Sequence, residues 1–489
     1  MNPSSPSASG PTRISLATPA AAVEILVLFG AVALAALGFL LGWLRISYAE
    51  VLTALLLVAL VALAWRNFDQ GRHPCFLFLS TLLLLQGGRL LIYCLGGEPD
   101  PLRIRGMSAY PFDLTRDQAG TVLLCVALSA VCIYAPCRWS YRRLAPPPDT
   151  RVRQYLPFLY LVFYAALPIQ LFKNYEYYQY IQEHGGYLQF WVNHGDIAAS
   201  VPWVVRGIVL LSLPALVAIF VFEKRRRYLY LATAAYLLAS IPTLLLGLRG
   251  GVFALVLTLW YVAAVKSTGK SRIVAVAALG LALVLVGDVV QTLREDTDTT
   301  LADYTFAPLE FVRLQGNSLD VTSAAVKYRS IFAPYAGSYL RHELGNAFVA
   351  NDTTNYFRGK SLAFDVPVLL NADAFSNGRG TGGSYIGEAY VLGALPGVLV
   401  ISWLIGCGLQ FCHRASQDAR SLFLLALVLP DILTMPRGNL LDWLSVLGRA
   451  LLSLAILGGG WQLFCLARWL KRSPRGQLYS APGQLPGLP

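Results

Sequence analysis

Three segments of this chain set arginine beside glycine just ahead of a long apolar run: Gly247-Leu248-Arg249-Gly250-Gly251, Gly378-Arg379-Gly380-Thr381-Gly382-Gly383-Ser384 and Pro436-Arg437-Gly438-Asn439. A helix that starts at such a point presents unpaired N–H groups and a partial positive charge. Glycine lets an anion approach the backbone, and arginine adds a planar, bidentate fork. One such element is explained equally well by capping of a turn at an interface. Three of them together predict a site for a pyrophosphate-like anion, with Arg249, Arg379 and Arg437 as its cations.

Carboxylates come next. Glu388 lies about one turn into the run that follows the second segment, where it can act as a base, hold an arginine or stabilise a helix start. Asp320 and Asp442 are further candidates. Asp442 and Arg449 are spaced to share one helix face, so they can form a buried ion pair or line the site. Glu24, Arg89 and Arg206 also fall in or at the edges of apolar runs, where each charge needs a partner or a cavity. No Walker lysine and no metal-ligand spacing is present in the sequence.

The elements that must position these residues are membrane helices. Hydrophobic residues make up 56% of the 489, charged residues only 13%, and the apolar runs have no polar face. The runs predict about twelve spans, at roughly 20–44, 48–65, 75–95, 119–136, 155–172, 203–222, 228–247, 252–265, 273–290, 385–411, 421–434 and 443–465. Arginine and lysine concentrate in alternate connections: Arg66 and Arg72, then Arg138 to Arg153, Lys224 to Arg227, Lys266 to Arg272, Arg414 and Arg420, and the tail after Arg468. The positive-inside rule then puts both termini in the cytoplasm and all three glycine–arginine segments outside. The net charge of +12 is largely this topology signal and does not predict nucleic-acid binding.

The predicted organisation is a disordered cytoplasmic N-terminus (1–19), nine transmembrane helices (20–290), a large outer loop (291–384), three more helices (385–465) and a cytoplasmic tail (466–489). A loop as long as 291–384 is usually a functional element. Its Pro308 to Tyr328 stretch has amphipathic helical spacing, and Tyr335, Tyr339, Tyr356 and Phe357 suggest an aromatic surface at the headgroups. The outer histidines are His184, His194 and His342. The eight cysteines lie in spans or at their ends, which predicts no disulfide framework.

With these residues in hand, the chain resembles the Wzy-type polymerases of bacterial O-antigen and exopolysaccharide repeat units. Gly247-Leu248-Arg249-Gly250-Gly251 is similar to the family's Gly-x-Arg-Gly element. Gly382-Gly383-Ser384-Tyr385-Ile386-Gly387-Glu388-Ala389-Tyr390, with Gly393 and Gly397, is similar to the segment after its large loop. Arg437-Gly438-Asn439-Leu440 resembles its Arg-Gly-Asp/Asn-Leu element. The resemblance implies an all-α, polytopic, GT-C-like bundle in the bacterial inner membrane. It implies a glycosyltransferase that moves a glycan from undecaprenyl pyrophosphate onto another lipid-linked repeat unit at the periplasmic face, with no metal or cofactor. Membrane lipid, a chain-length regulator and a flippase are the partners it suggests. Arg249 and Arg437 are then expected to bind pyrophosphate, Glu388 to be the first candidate for the base, and Arg379, Arg449, Asp320 and Asp442 to contact substrate. The loop departs from the family in holding slightly more acids than bases, so local arginines must do the binding. An O-antigen ligase acting through His342 and a glycan flippase are the competing readings.

Overall fold

The computed structural model describes residues 19–68, 72–96, 102, 113–142, 154–183, 201–245, 250–266, 274, 278, 282, 285, 308–346, 358–376 and 380–472. Every regular element among them is helical. The first ten helices are α1 (Pro19–Leu40), α2 (Ile46–Asn67), α3 (Pro74–Leu85), α4 (Gly88–Cys94), α5 (Arg116–Trp139), α6 (Leu156–Glu183), α7 (Trp203–Val209), α8 (Ser212–Phe222), α9 (Arg226–Leu245) and α10 (Gly250–Lys266). The outer segment contributes α11 (Pro308–Gln315), α12 (Ser318–Lys327), α13 (Arg329–Phe332), α14 (Ala336–Asn346) and α15 (Leu362–Ser376). The chain closes with α16 (Tyr385–Ala415), α17 (Ala419–Thr434) and α18 (Asp442–Arg472).

Among the described residues, eight helices are long and apolar enough to cross a membrane, or nine if the bent pair α3–α4 is one span. The run at 75–95 is therefore not one straight helix: it bends by 67° where Gln86 and Gly87 interrupt it. Hydropathy cannot reveal that break, because both halves are apolar. α10 carries a shorter apolar stretch, Leu255–Lys266, and the expected span at 273–290 lies outside the described residues apart from four isolated positions.

Local chemistry starts the helices. Thr115 and Gln118 form a reciprocal capping box at α5, and the Asp418 carboxylate accepts from the Arg420 and Ser421 amides at α17. α5 is the central mast, 78% buried over its apolar window, whereas α1 and α18 are 17% buried and present leucines outward as lipid-facing helices do. α16 packs along α5 at backbone contact: a Cβ on Gly406 would lie 2.5 Å from Pro136 Cγ and 2.6 Å from the Ile133 carbonyl. Small residues permit such approaches where no hydrophobic effect drives helices together in lipid.

The bundle has two chemically different ends. At one, Arg138 pairs with Glu24, Gln410 Nε2 donates to the Ser140 carbonyl, and Lys266 Nζ donates to the carbonyls of Phe220 and Glu223. Arg66, Arg142, the 224–227 run, Arg414 and Arg420 lie at or next to helix ends on this same side. At the other end lie the α3–α4 break, α11–α15 and the starts of α16 and α18. Thr258 Oγ1 of α10 donates to the Ala426 carbonyl of α17, and Tyr261 lies beside Ser416. The two helices are thus antiparallel, so Gly250, at the start of α10, points to the same end as Thr434.

The stretch from Pro308 to Tyr328 is not one helix. It breaks at Gly316-Asn317, where the chain presses against α4: a Cβ on Gly316 would lie 2.7 Å from the Arg89 amide nitrogen, and one on Gly88 2.6 Å from the Val312 carbonyl. Tyr339 does not join a headgroup surface either. It is buried, and its hydroxyl donates to Asp365 Oδ2 at 2.7 Å. Tyr356 and Phe357 lie outside the described residues.

Candidate active site

Two of the three glycine–arginine segments meet. The Gly383 amide donates to the Arg437 carbonyl at 3.1 Å, and a Cβ on Gly383 would sit 2.9 Å from both Gly438 C and Asn439 Oδ1. Gly382 has φ +76°, a conformation that disfavours any side chain, and it packs against the Arg437 side chain. Ser384 then caps α16, its Oγ accepting from the Gly387 amide. Arg437 itself is exposed, with Nη1 donating to Gln315 Oε1 at 3.0 Å.

Gln86, fully buried in the α3–α4 break, ties the neighbouring pieces together. Its amide nitrogen donates to the Pro436 carbonyl at 2.6 Å and to Ser384 Oγ at 3.0 Å, and reaches the Ser318 carbonyl at 3.3 Å. Its oxygen accepts from Thr322 Oγ1. A polar side chain buried at membrane depth must be satisfied in this way, and here satisfying it joins α12, α16 and the segment before α18.

On the far side of Arg437 the anchors are carboxylates. Glu388 Oε2 accepts from the Leu440 amide at 2.7 Å, Glu343 Oε2 from the Leu441 amide at 2.8 Å, and Asp442 Oδ2 from the Asn439 amide at 3.1 Å. Glu388 and Glu343 are buried, 3% and 4% exposed, and their carboxyls face each other. Burial, with the Asp442 charge added, pushes Glu343 up to about 7.

This arrangement corrects the expectation of open helix starts. The amides of Asn439, Leu440 and Leu441 at the entry to α18 are consumed by three carboxylates, and those of Gly383 and Gly387 by Arg437 and Ser384. At these two segments the amides nearest Arg437 are already paired, while its guanidinium is exposed.

The profile of the family described as O-antigen polysaccharide polymerase Wzy matches residues 24–458, nearly the whole chain. The chain belongs to that family. No curated protein and no solved structure matches it. Membership makes the chain a membrane enzyme of the polymerase, glycosyltransferase type.

Within this Wzy-family chain the other expected site residues are placed unevenly. Arg249 and Arg379 lie outside the described residues. Asp320 is drawn inward: Arg89 Nη1 donates to its Oδ1 at 2.7 Å, both side chains almost wholly buried, and Arg89 Nη2 donates to Asn317 Oδ1. It braces α12 against α4 and is only 5% exposed. Asp442 and Arg449 are exposed and do not form the buried pair their spacing allows. Arg449 instead donates to the Ser445 carbonyl and hydroxyl one turn before it. Glu343 was not singled out by the sequence reading. The one signal was its i, i+4 spacing from Tyr339 in α14, which puts both on the buried face. His342 precedes it on the same helix.

The structure also gathers His73, Cys75 and Cys137, buried and within 4.8 Å of one another, at the basic end. Spacing alone hid this group, since Cys137 belongs to a different helix. His73 is not poised to bind a metal: Nδ1 accepts from the Cys75 amide and Nε2 pairs with Gln410 Oε1. The imidazole serves instead as the cap of α3.

Proposed function

We propose that this chain polymerises oligosaccharide repeat units carried on undecaprenyl pyrophosphate, working without a metal at the periplasmic face of the bacterial inner membrane. The carrying observation is the junction of Gly383 with Arg437, which sets an exposed guanidinium among fixed backbone in a chain of the Wzy family. Support for the periplasmic face comes from charge: basic residues cluster at the end opposite this junction, the end that the positive-inside rule favours for the cytoplasm.

In this reading a sugar hydroxyl of one lipid-linked unit attacks the anomeric carbon of the glycan on another carrier. The new C–O glycosidic bond forms as the bond from that carbon to the pyrophosphate oxygen breaks, and the lipid pyrophosphate leaves with the electron pair. Arg437, joined by Arg249 and Arg379 from the other glycine–arginine segments, neutralises the charge that grows on the leaving group. Preorganised charge of this kind is typically the largest electrostatic contribution to such a step. The hydroxyl proton passes to a carboxylate. Glu388 is buried on the Leu440 amide, so it is assigned to holding Arg437 in place, and the exposed Asp442 takes the role of base. Arg449, two turns along the same helix, is assigned to the glycan.

Deletion of the gene tests this reading on the surface glycan. Loss of long chains with retention of single repeat units is expected. Unchanged chain length, or full polymerisation after Arg249→Ala and Arg437→Ala together, would overturn it. The ligase reading makes a different demand: His342→Ala would abolish glycan transfer while Arg249 remained dispensable.

A further inference from the structure

The acid pair beneath Arg437 has a role that neither composition nor family membership assigns. Leu440 and Leu441 are adjacent residues whose amides are held by carboxylates from two different elements, Glu388 of the membrane helix α16 and Glu343 of the outer helix α14. Both Oε2 atoms are spent on those amides. Among the described residues no donor other than the pair itself reaches either buried Oε1 atom, and the two carboxyls face each other. Two charged carboxylates cannot be buried against one another, so the arrangement holds together when they share one proton. One turn before Glu343 in α14, the Tyr339 hydroxyl is fixed on Asp365 of α15, so the pair is also the point where these outer helices are latched to the start of the last membrane helix.

We propose that Glu343 is a positioning residue: with Glu388 it forms a proton-sharing clamp that grips the 440–441 peptide, seats α14 on the start of α18, and thereby fixes Arg437. The assignment of Arg437 to leaving-group binding rests on the polymerase reading above; the clamp itself does not. Among the described residues, the groups that face Glu343 are Glu388 from α16 and Asp442 from α18, while Tyr335 lies in the turn Ala333–Tyr335 before α14, and Arg341 and His342 precede Glu343 on its own helix. Both facing groups are acids, so raising the pH removes the shared proton and opposes the grip. Burial and the Asp442 charge, which raise Glu343 to about 7, set the range in which this happens.

Two measurements on the full-length protein in its membrane test the clamp. The first is hydrogen exchange at the 439–442 peptide, corrected for the intrinsic rate, between pH 5.5 and 8.5. Wild type should lose protection as pH rises through about 7. Glu343→Ala should be unprotected throughout. Glu343→Gln, whose amide can accept from Leu441 and donate to Glu388, should stay protected with a flat profile. The second is polymer formation in membranes holding their endogenous repeat units. Glu343→Ala should lengthen chains at least tenfold more slowly through a lower kcat, and Glu343→Gln should recover most of that loss and flatten the limb above pH 7. A wild-type exchange profile without the fall, or one unchanged by Glu343→Gln, overturns the clamp. A clamp seen in exchange together with wild-type chain growth in Glu343→Ala overturns its positioning role. If exchange behaves as expected but the gene deletion leaves chain length untouched, the polymerase reading fails and the clamp stands.

Discussion

Gly383 donates its amide to the carbonyl of Arg437 across 3.1 Å, and that single bond joins two segments 54 residues apart in the chain. On either side of it the path from Pro436 to Asp442 is pinned: Gln86 holds the Pro436 carbonyl, and Glu388, Glu343 and Asp442 hold the next three amides after Gly438. The backbone that carries Arg437 is thus fixed by groups from the α3–α4 break, α14, α16 and α18. A guanidinium that must meet growing negative charge gains from such fixation, because little reorganisation is left to do during reaction.

The close approach at Gly383 yields the first prediction. Its missing Cβ would lie 2.9 Å from the backbone of Gly438, which cannot swing aside as a side-chain tip can. Gly383→Ala should therefore displace the Arg437 segment and abolish long glycan chains with the protein still present in the membrane at close to normal levels. Gly380, where a Cβ meets nothing within 4 Å, is the control position: Gly380→Ala should accumulate equally. Chain length on a gel beside an immunoblot checks both.

Arginine chemistry makes the second. A bidentate, always-charged fork is not reproduced by lysine's point charge. Arg437→Ala should reduce polymerisation by about 10²-fold or more, the usual scale for removing one preorganised stabiliser of developing negative charge. Arg437→Lys should fall between that variant and wild type. Initial rates of chain growth in isolated membranes measure the series. Equal activity in all three would remove Arg437 from the site.

Gln86 is the third. Gln86→Leu keeps much of the volume but strands the buried Pro436 carbonyl and takes one partner each from Ser384 Oγ and Thr322 Oγ1, which keep each other at 2.8 Å. Leaving buried polar groups unsatisfied costs about 1–3 kcal/mol each. A clear fall in the thermal midpoint of the detergent-solubilised protein is expected, together with loss of polymerisation. An unchanged midpoint would mean that the α3–α4 break is held by other contacts.

How far the sequence carried these conclusions differs from residue to residue. The apolar runs, the charge alternation and the neighbourhood of Gly382-Gly383 with Arg437-Gly438 were legible, because hydropathy and glycine placement are local signals. Arg89 was recognisable as a charge in need of a partner. That the partner is Asp320 was not, since 231 residues separate them. The break at Gln86 was hidden because its flanks are as apolar as an unbroken span. Glu343 was hidden because it sits in an ordinary amphipathic helix beside Arg341 and His342, and only folding brings it to Glu388. At the entries to α16 and α18 several backbone amides are already taken by Arg437, Ser384 and three carboxylates, which a sequence cannot show.

Acidity supplies the fourth prediction, with its sign fixed by Glu343. Its carboxyl titrates near 7 in the folded chain against 4.5 unfolded, so protonation favours the fold. The stabilisation is complete below pH 4.5 and is lost as pH rises through about 7, at a slope of at most about 1.4 kcal/mol per pH unit for this one group. The thermal midpoint of wild type should fall across that window, and Glu343→Gln should remove most of the slope. A midpoint that instead rises from pH 5 to 7, once the other acids are matched by the Gln variant, would mean that Glu343 is ionised in the folded state. The pair would then have to be held by a neighbouring cation and not by a shared proton.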